Sequence, residues 1–291
     1  MAILDLLMTI FISIHTASVN WESSKWITRL IIYCIIAIAI NGLCILADFI
    51  KKSDEKTYQY FDGAYSIQDK INHETASKLY RINKRIIKAI RERKIEKGEL
   101  NAIADFQTFS FLVCNELCDF IKKNFDCGDC EVTIFQRFTD SKSKDFVKMI
   151  AFKNNKNHKP SSYQKEFALN SRSNGAVFIS IFNDLNEEIK ILHNQKAVRE
   201  EFKYFDDSKK REKKICQYIG IPIKTDRNKI EILLQIDVSK EKALGKNYNE
   251  LKQFAEYVLL PFCSLLHCSY ERDLIFNKFY DILEENIIRK F

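Results

Sequence analysis

The hydrophobic and polar positions change their pattern twice along this chain. Leu30 to Ala47 reads LIIYCIIAIAINGLCILA, 18 residues without a charge. As a helix it would span about 27 Å, close to the hydrocarbon thickness of a bilayer. Trp26 and Arg29 precede it, and Asp48, Lys51 and Lys52 follow, in the positions of interfacial anchors. A buried core helix normally keeps a polar stripe, and only Asn41 is available for one. Leu6 to Trp21 forms an earlier, shorter run whose only polar residues are Thr, Ser, His and Asn. Asn20 to Trp26 between the two reads as a polar turn bracketed by tryptophans. A two-helix membrane hairpin is expected over residues 1–52. One spanning helix preceded by an interfacial one remains open. A cleaved signal peptide fits poorly, because Asp5 and no Lys or Arg precede the run.

Ile67 to Lys97 contains neither Pro nor Gly. Ile67, Ile71, Leu79, Ile82, Ile86 and Ala89 recur at spacings of three and four, or whole turns, and mark one helical stripe. The spacing predicts a long amphipathic connector within residues 53–98, suited to a parallel coiled-coil dimer or higher oligomer, with Thr75 weakening the seam.

From residue 99 the pattern becomes that of a folded α+β domain, extending to 291. A broad apolar face predicts a helix over Leu100 to Asn124. Cys127-Gly128-Asp129-Cys130 reads as a turn. Glu131 to Phe138 and Phe146 to Phe152 alternate as strands, and Asn154 to Pro160 is a polar loop. Gly175 to Leu185 is mixed and fits a short helix entering a strand. Ile215 to Ile223 and Lys229 to Val238 read as strands joined by a hairpin turn. Asn249 to Ile288 is a long helical tract that Pro261 is expected to bend.

Charge refines this picture. The 291 residues carry a net charge of +7, unevenly spread. Residues 78–97 hold nine Lys or Arg against Glu92 and Glu96. This face is a solvated helix surface, or an attractor of anionic membrane lipid at about 1 kcal/mol per basic residue. The lack of interleaved aromatics along it counts against nucleic acid as a partner. Basic residues after the second apolar run place the folded domain in the cytoplasm, against the inner membrane. Nine cysteines, several within apolar runs, fit small hydrophobes in a reducing compartment.

Four segments in the last two thirds of the chain resemble the GAF family of small-molecule sensor domains. Ser173-Asn174-Gly175-Ala176-Val177-Phe178 is similar to its small-Gly-hydrophobic turn opening a helix at the pocket. Tyr218 to Lys224 resembles its S-x-x-x-V-P-L strand, and Ile232 to Ile236 its G-V-L-Q-L strand, with Glu231 where Gly is common. Asn249 to Ala255 resembles its D-x-x-L-L-x-x-F-A helix. The resemblance covers about residues 100–275; PAS-like domains share the general architecture. It implies an antiparallel sheet backed by the first and last helices, with a small-molecule or nucleotide ligand between the other face and the short helices. The residues it assigns to that ligand are Phe135, Arg137, Met149, Asn174, Phe178, Phe182 and Tyr218. Arg137 and Asn174 are expected to orient a polar or anionic group, and the aromatics to stack on a base. Loss of Arg137 should then spare the fold. The signature of cyclic-nucleotide-binding members is missing, which argues against that ligand.

Catalysis has no footing. There is no Gly-rich phosphate loop, no G-x-S-x-G and no H-E-x-x-H. Cys127-x-x-Cys130 is half a zinc site, but Cys114, Cys118, His158 and His193 complete no diagnostic spacing. No metal or cofactor is expected, and the pair reads as a turn with core cysteines, ahead of a metal or redox role. The leading expectation is a non-enzymatic, membrane-anchored sensor or effector, of the layout a bacterial defence or stress protein would have. A regulatory subunit serving a separate enzyme is the alternative, and an enzyme with an unrecognised site is the third class.

Overall fold

The structure, a computed structural model, describes residues 42, 43, 45–47, 51, 61–77, 80, 81, 84, 87, 88, 91 and 105–287, omitting 156–158, 161, 170–176, 185–187, 202–213 and 226–228. The chain divides into two compact units, 1–60 and 61–291. In the first, the described positions are helical, with Leu43, Ile45 and Leu46 exposed. The rest of the two apolar runs lies outside the described residues. No helix among the described residues is long and apolar enough to cross a membrane.

The second unit opens with a helix over 61–77 (α1). It packs within the unit. Lys70 Nζ sits 2.6 Å from Glu116 Oε1, Phe61 packs on Tyr257 at 5.2 Å between ring centroids, and Gly63 lies against the Phe120 ring. Ile71, which the spacing assigns to a dimer seam, is fully buried by its own chain. Ile67, one turn earlier, is half-buried, and Leu79, Ile82, Ile86 and Ala89 lie outside the described residues.

Helix α2 runs from Phe106 to Asn124. Asp105 caps it, accepting from the amides of Gln107 and Thr108 at 3.0 and 3.2 Å, and Lys122 and Lys123 complement the dipole at its end. Its inward stripe of Phe106, Phe109, Val113, Leu117 and Ile121 is buried.

The described residues form a six-stranded antiparallel sheet: β1 (Cys130–Thr139), β2 (Asp145–Asn154), β3 (Phe167–Ala168), β4 (Lys190–Leu192), β5 (Gln217–Lys224) and β6 (Ile230–Val238). The strand order is β3-β2-β1-β6-β5-β4. Pro222 is tolerated in β5 because β4 pairs only with Tyr218 to Gly220, leaving the proline side of the strand without a ladder to break. Helices α3 (Val177–Asn183) and α4 (Gln195–Glu201) interrupt the strands.

Asn247 caps helix α5 (Tyr248–Phe254), and Glu250 reaches back to the Lys246 amide at 2.8 Å. Helix α6 (Leu260–Ile287) closes the chain. Between them lies one π-helical turn, Ala255–Leu259. Proline has no N–H and its ring crowds the carbonyl one turn earlier, here at Tyr257, so the widened turn sits where Pro261 disturbs the ladder. Helices α2 and α6 pack together and against the sheet. The alternate side chains of the sheet form a second core with α3 and α4.

Candidate functional site

Strand alternation places the candidate residues on this second face. Phe135 and Arg137 come from β1, Met149 from β2, Phe178 and Phe182 from α3, and Tyr218 from β5. Phe135, Met149, Phe182 and Tyr218 are buried in one apolar cluster, with Phe178 half-buried against it. Asn174 lies outside the described residues.

The aromatics stack on one another. The Phe178 ring lies parallel to Phe135, 4.5 Å between centroids and 19° between planes. Phe167 meets Phe178 edge-on at 5.1 Å. The surface expected to receive a flat ligand is thus covered by Phe178, the most accessible member of the stack.

Arg137 is embedded in the same face, its side chain 10% exposed. One guanidinium nitrogen donates to the Phe182 carbonyl at 2.8 Å, another to Asp145 Oδ2 at 3.2 Å, and the group lies 5.8 Å from the centre of the Phe182 ring. Arg137 therefore holds α3 in place, beyond the ligand role that the family resemblance assigns to it. Its Nε is buried and has no hydrogen-bond partner among the described residues. The Thr139 hydroxyl, with Lys229 and Arg137, holds the Asp145 carboxyl below the usual carboxylate range against the opposing effect of burial.

A polar chain crosses the floor of the face. Thr133 Oγ1 donates to Gln235 Oε1 at 3.2 Å, and Gln235 Nε2 donates to the Tyr218 hydroxyl. Gly220 leaves room for that phenol: a Cβ there would stand 2.6 Å from its oxygen and 2.9 Å from Ile181 Cδ1. Sequence reading missed Thr133, Gln235, Asp145 and Phe167. The first two were visible as polar residues in register with Phe135 and Leu233 on alternating strands. Phe167 sits in a two-residue edge strand too short to show a period.

The element order, the antiparallel sheet and its backing by first and last helices are those the sequence resemblance implies. The fold is GAF-like. Among solved structures, the GAF domain of an Acinetobacter phosphoenolpyruvate-protein phosphotransferase is similar at 16% identity, covering 70% of this chain and 97% of that one, with a TM-score of 0.40. A type II free methionine-R-sulfoxide reductase from Thermoplasma acidophilum is similar at 16% identity, with 56% and 96% covered and a TM-score of 0.37. The GAF domain of Thermosynechococcus elongatus PixJ, in its blue-light absorbing form, gives 12% identity, 62% and 96% coverage and a TM-score of 0.38. No family model matches this chain, and no curated protein matches it in sequence.

Proposed function

We propose that this chain is a non-enzymatic regulatory protein whose GAF-like domain binds a small ligand on the sheet face beneath α3. The observation that carries the reading is Arg137 Nε, a buried donor without a hydrogen-bond partner among the described residues. Burying such a donor unmet costs about 1–3 kcal/mol, and a ligand acceptor would satisfy it. A carboxylate, phosphate or ring carbonyl at Nε, with a planar body against Phe135 in place of the Phe178 ring, fits this chemistry. Such a ligand would displace α3 and load the sheet on which α2 and α6 pack.

The output, in this reading, lies in residues 1–52 as an inner-membrane anchor, with the domain on the cytoplasmic side. The uncharged run and the exposed Leu43, Ile45 and Leu46 support it. A defence or stress effector acting on that membrane through ligand-driven clustering has this layout. The exposed Leu274 and Ile275 of α6 favour a second reading, a scaffold that docks a separate enzyme.

A thermal-shift panel of nucleotides and small carboxylates, run on the full chain and on Arg137→Lys, tests the ligand. Lysine keeps the charge but has no Nε donor in that position. The proposal expects a panel member to raise the wild-type melt and to lose affinity for the variant. A panel without effect on wild type, or an equal shift in both, counts against it.

A further inference from the structure

Residues 77–91, which begin at the end of α1, hold six Lys or Arg and no Asp or Glu. Every described position between residues 80 and 91 is helical and exposed: Tyr80, Arg81, Lys84, Ile87, Lys88 and Arg91. Tyr80, Lys84, Ile87 and Arg91 follow one another at spacings of four, three and four. Arg81, Lys84, Lys88 and Arg91 follow at three, four and three. Both series are spacings of one helix face. At about 100° per residue the six positions fall within an arc of about 120°. Their order across the arc is not mixed. Ile87 and Tyr80 form one margin, Lys88 and Arg81 the other, and Arg91 and Lys84 stand between. Tyr80 is 70% exposed and Ile87 52%, so two large side chains with apolar surface meet water beside four cations.

We propose that this arc docks on the surface of a bilayer containing anionic lipid, with Tyr80 and Ile87 entering the interface and Arg81, Lys84, Lys88 and Arg91 meeting lipid phosphates. The inference goes beyond the ligand face and does not depend on residues 1–52 spanning a membrane. Charge complementarity commits the arc to this occupant. Four cations with no acid among them repel the same arc of a second copy, whereas a surface of lipid phosphates neutralises them. The long Lys and Arg stems lie along the apolar boundary while their charged ends reach the phosphates. Tyrosine favours the membrane–water boundary. The aliphatic Ile87 gains from acyl chains what the stacked bases of a nucleic acid do not offer it.

Position along the chain gives the docking a consequence. Helix α1 ends three residues before Tyr80 and is fixed to the folded unit by the Lys70–Glu116 ion pair and by the fully buried Ile71. Glu116 belongs to α2, which packs against the sheet. A bilayer held at residues 80–91 therefore lies within a few residues of a helix tied to the domain that carries the ligand face.

The test uses the purified full chain, mixed as detergent is removed with vesicles of phosphatidylcholine alone or with about 30% phosphatidylglycerol. Hydrogen–deuterium exchange then reads peptides within residues 78–91. Exchange should be at least about tenfold slower with phosphatidylglycerol than with phosphatidylcholine alone, and about 0.5 M sodium chloride should abolish the difference. Replacing the four cations together, by Arg81→Gln, Lys84→Gln, Lys88→Gln and Arg91→Gln, should abolish it as well. Lys84→Arg with Lys88→Arg should keep it. If the fourfold variant does not fold, the salt titration of wild type decides. Equal exchange in the two kinds of vesicle, or a difference that survives high salt, would overturn the proposal. So would stronger protection by an RNA or DNA oligonucleotide than by the anionic vesicles. Protection that ignores lipid composition and grows with protein concentration would also overturn it, as the mark of a contact between copies. None of these substitutions touches the sheet face or residues 1–52, so failure here leaves the ligand and anchor readings to their own tests.

Discussion

Arg137 donates a 2.8 Å hydrogen bond to the main-chain carbonyl of Phe182, fastening β1 to the last turn of α3. The same guanidinium meets Asp145 at 3.2 Å, so one buried cation joins two strands and a helix. A hydrogen bond from a charged group contributes about 1.5–3 kcal/mol. Arg137→Ala should therefore lower the unfolding free energy by about that amount, measured by urea denaturation of the full chain. An unchanged midpoint would mean that the bond to Phe182 does not hold the helix. The expectation from sequence was the reverse, that Arg137 serves a ligand and can be lost without cost to the fold.

Ile71 offers a second contrast between pattern and packing. Its spacing suits an intermolecular seam, yet its own chain buries it completely. Ile71→Ala should cost about 2–5 kcal/mol as a large-to-small core substitution. The loss should be the same at low and high protein concentration. A loss that disappears as concentration rises would place Ile71 between protomers instead.

Phe178 covers Phe135 at 4.5 Å while remaining partly accessible. Phe178→Ala should uncover the buried Phe135 ring without emptying the centre of the core. The expected cost is about 1–3 kcal/mol, less than the ~3–5 kcal/mol for Phe135→Ala. Binding of a hydrophobic dye such as ANS should increase in Phe178→Ala while its far-ultraviolet circular dichroism stays native. Dye binding equal to wild type would show that the face stays closed without this ring.

The strands were legible because β1, β2, β5 and β6 are apolar-rich runs of eight to ten residues, buried over most of their length and bounded by polar turns. β3, β4 and α4 were not, since two, three and seven residues carry too little period to separate from a loop. The disturbance at Pro261 was legible, but its form was not. A π-helical turn and a kink answer the same missing N–H, and the surrounding packing decides between them. The family resemblance also placed Phe135, Arg137 and Tyr218 on one face. It could not show that Phe178 would fill the space over Phe135, which depends on a contact 43 residues away in sequence. Nor could it show that Arg137 would find its acceptor in the backbone at Phe182.

The central claim is that a ligand occupies the sheet face beneath α3 through Arg137. Its most direct test is mass spectrometry of small molecules released from the purified full chain, beside Arg137→Lys purified identically. The account predicts one molecule carrying an acidic or carbonyl acceptor and a planar body, enriched with wild type and depleted with the variant. Equal recovery from both proteins, or a crystal structure of wild type saturated with that molecule showing the Phe135–Phe178 stack intact and Arg137 Nε untouched, would contradict it.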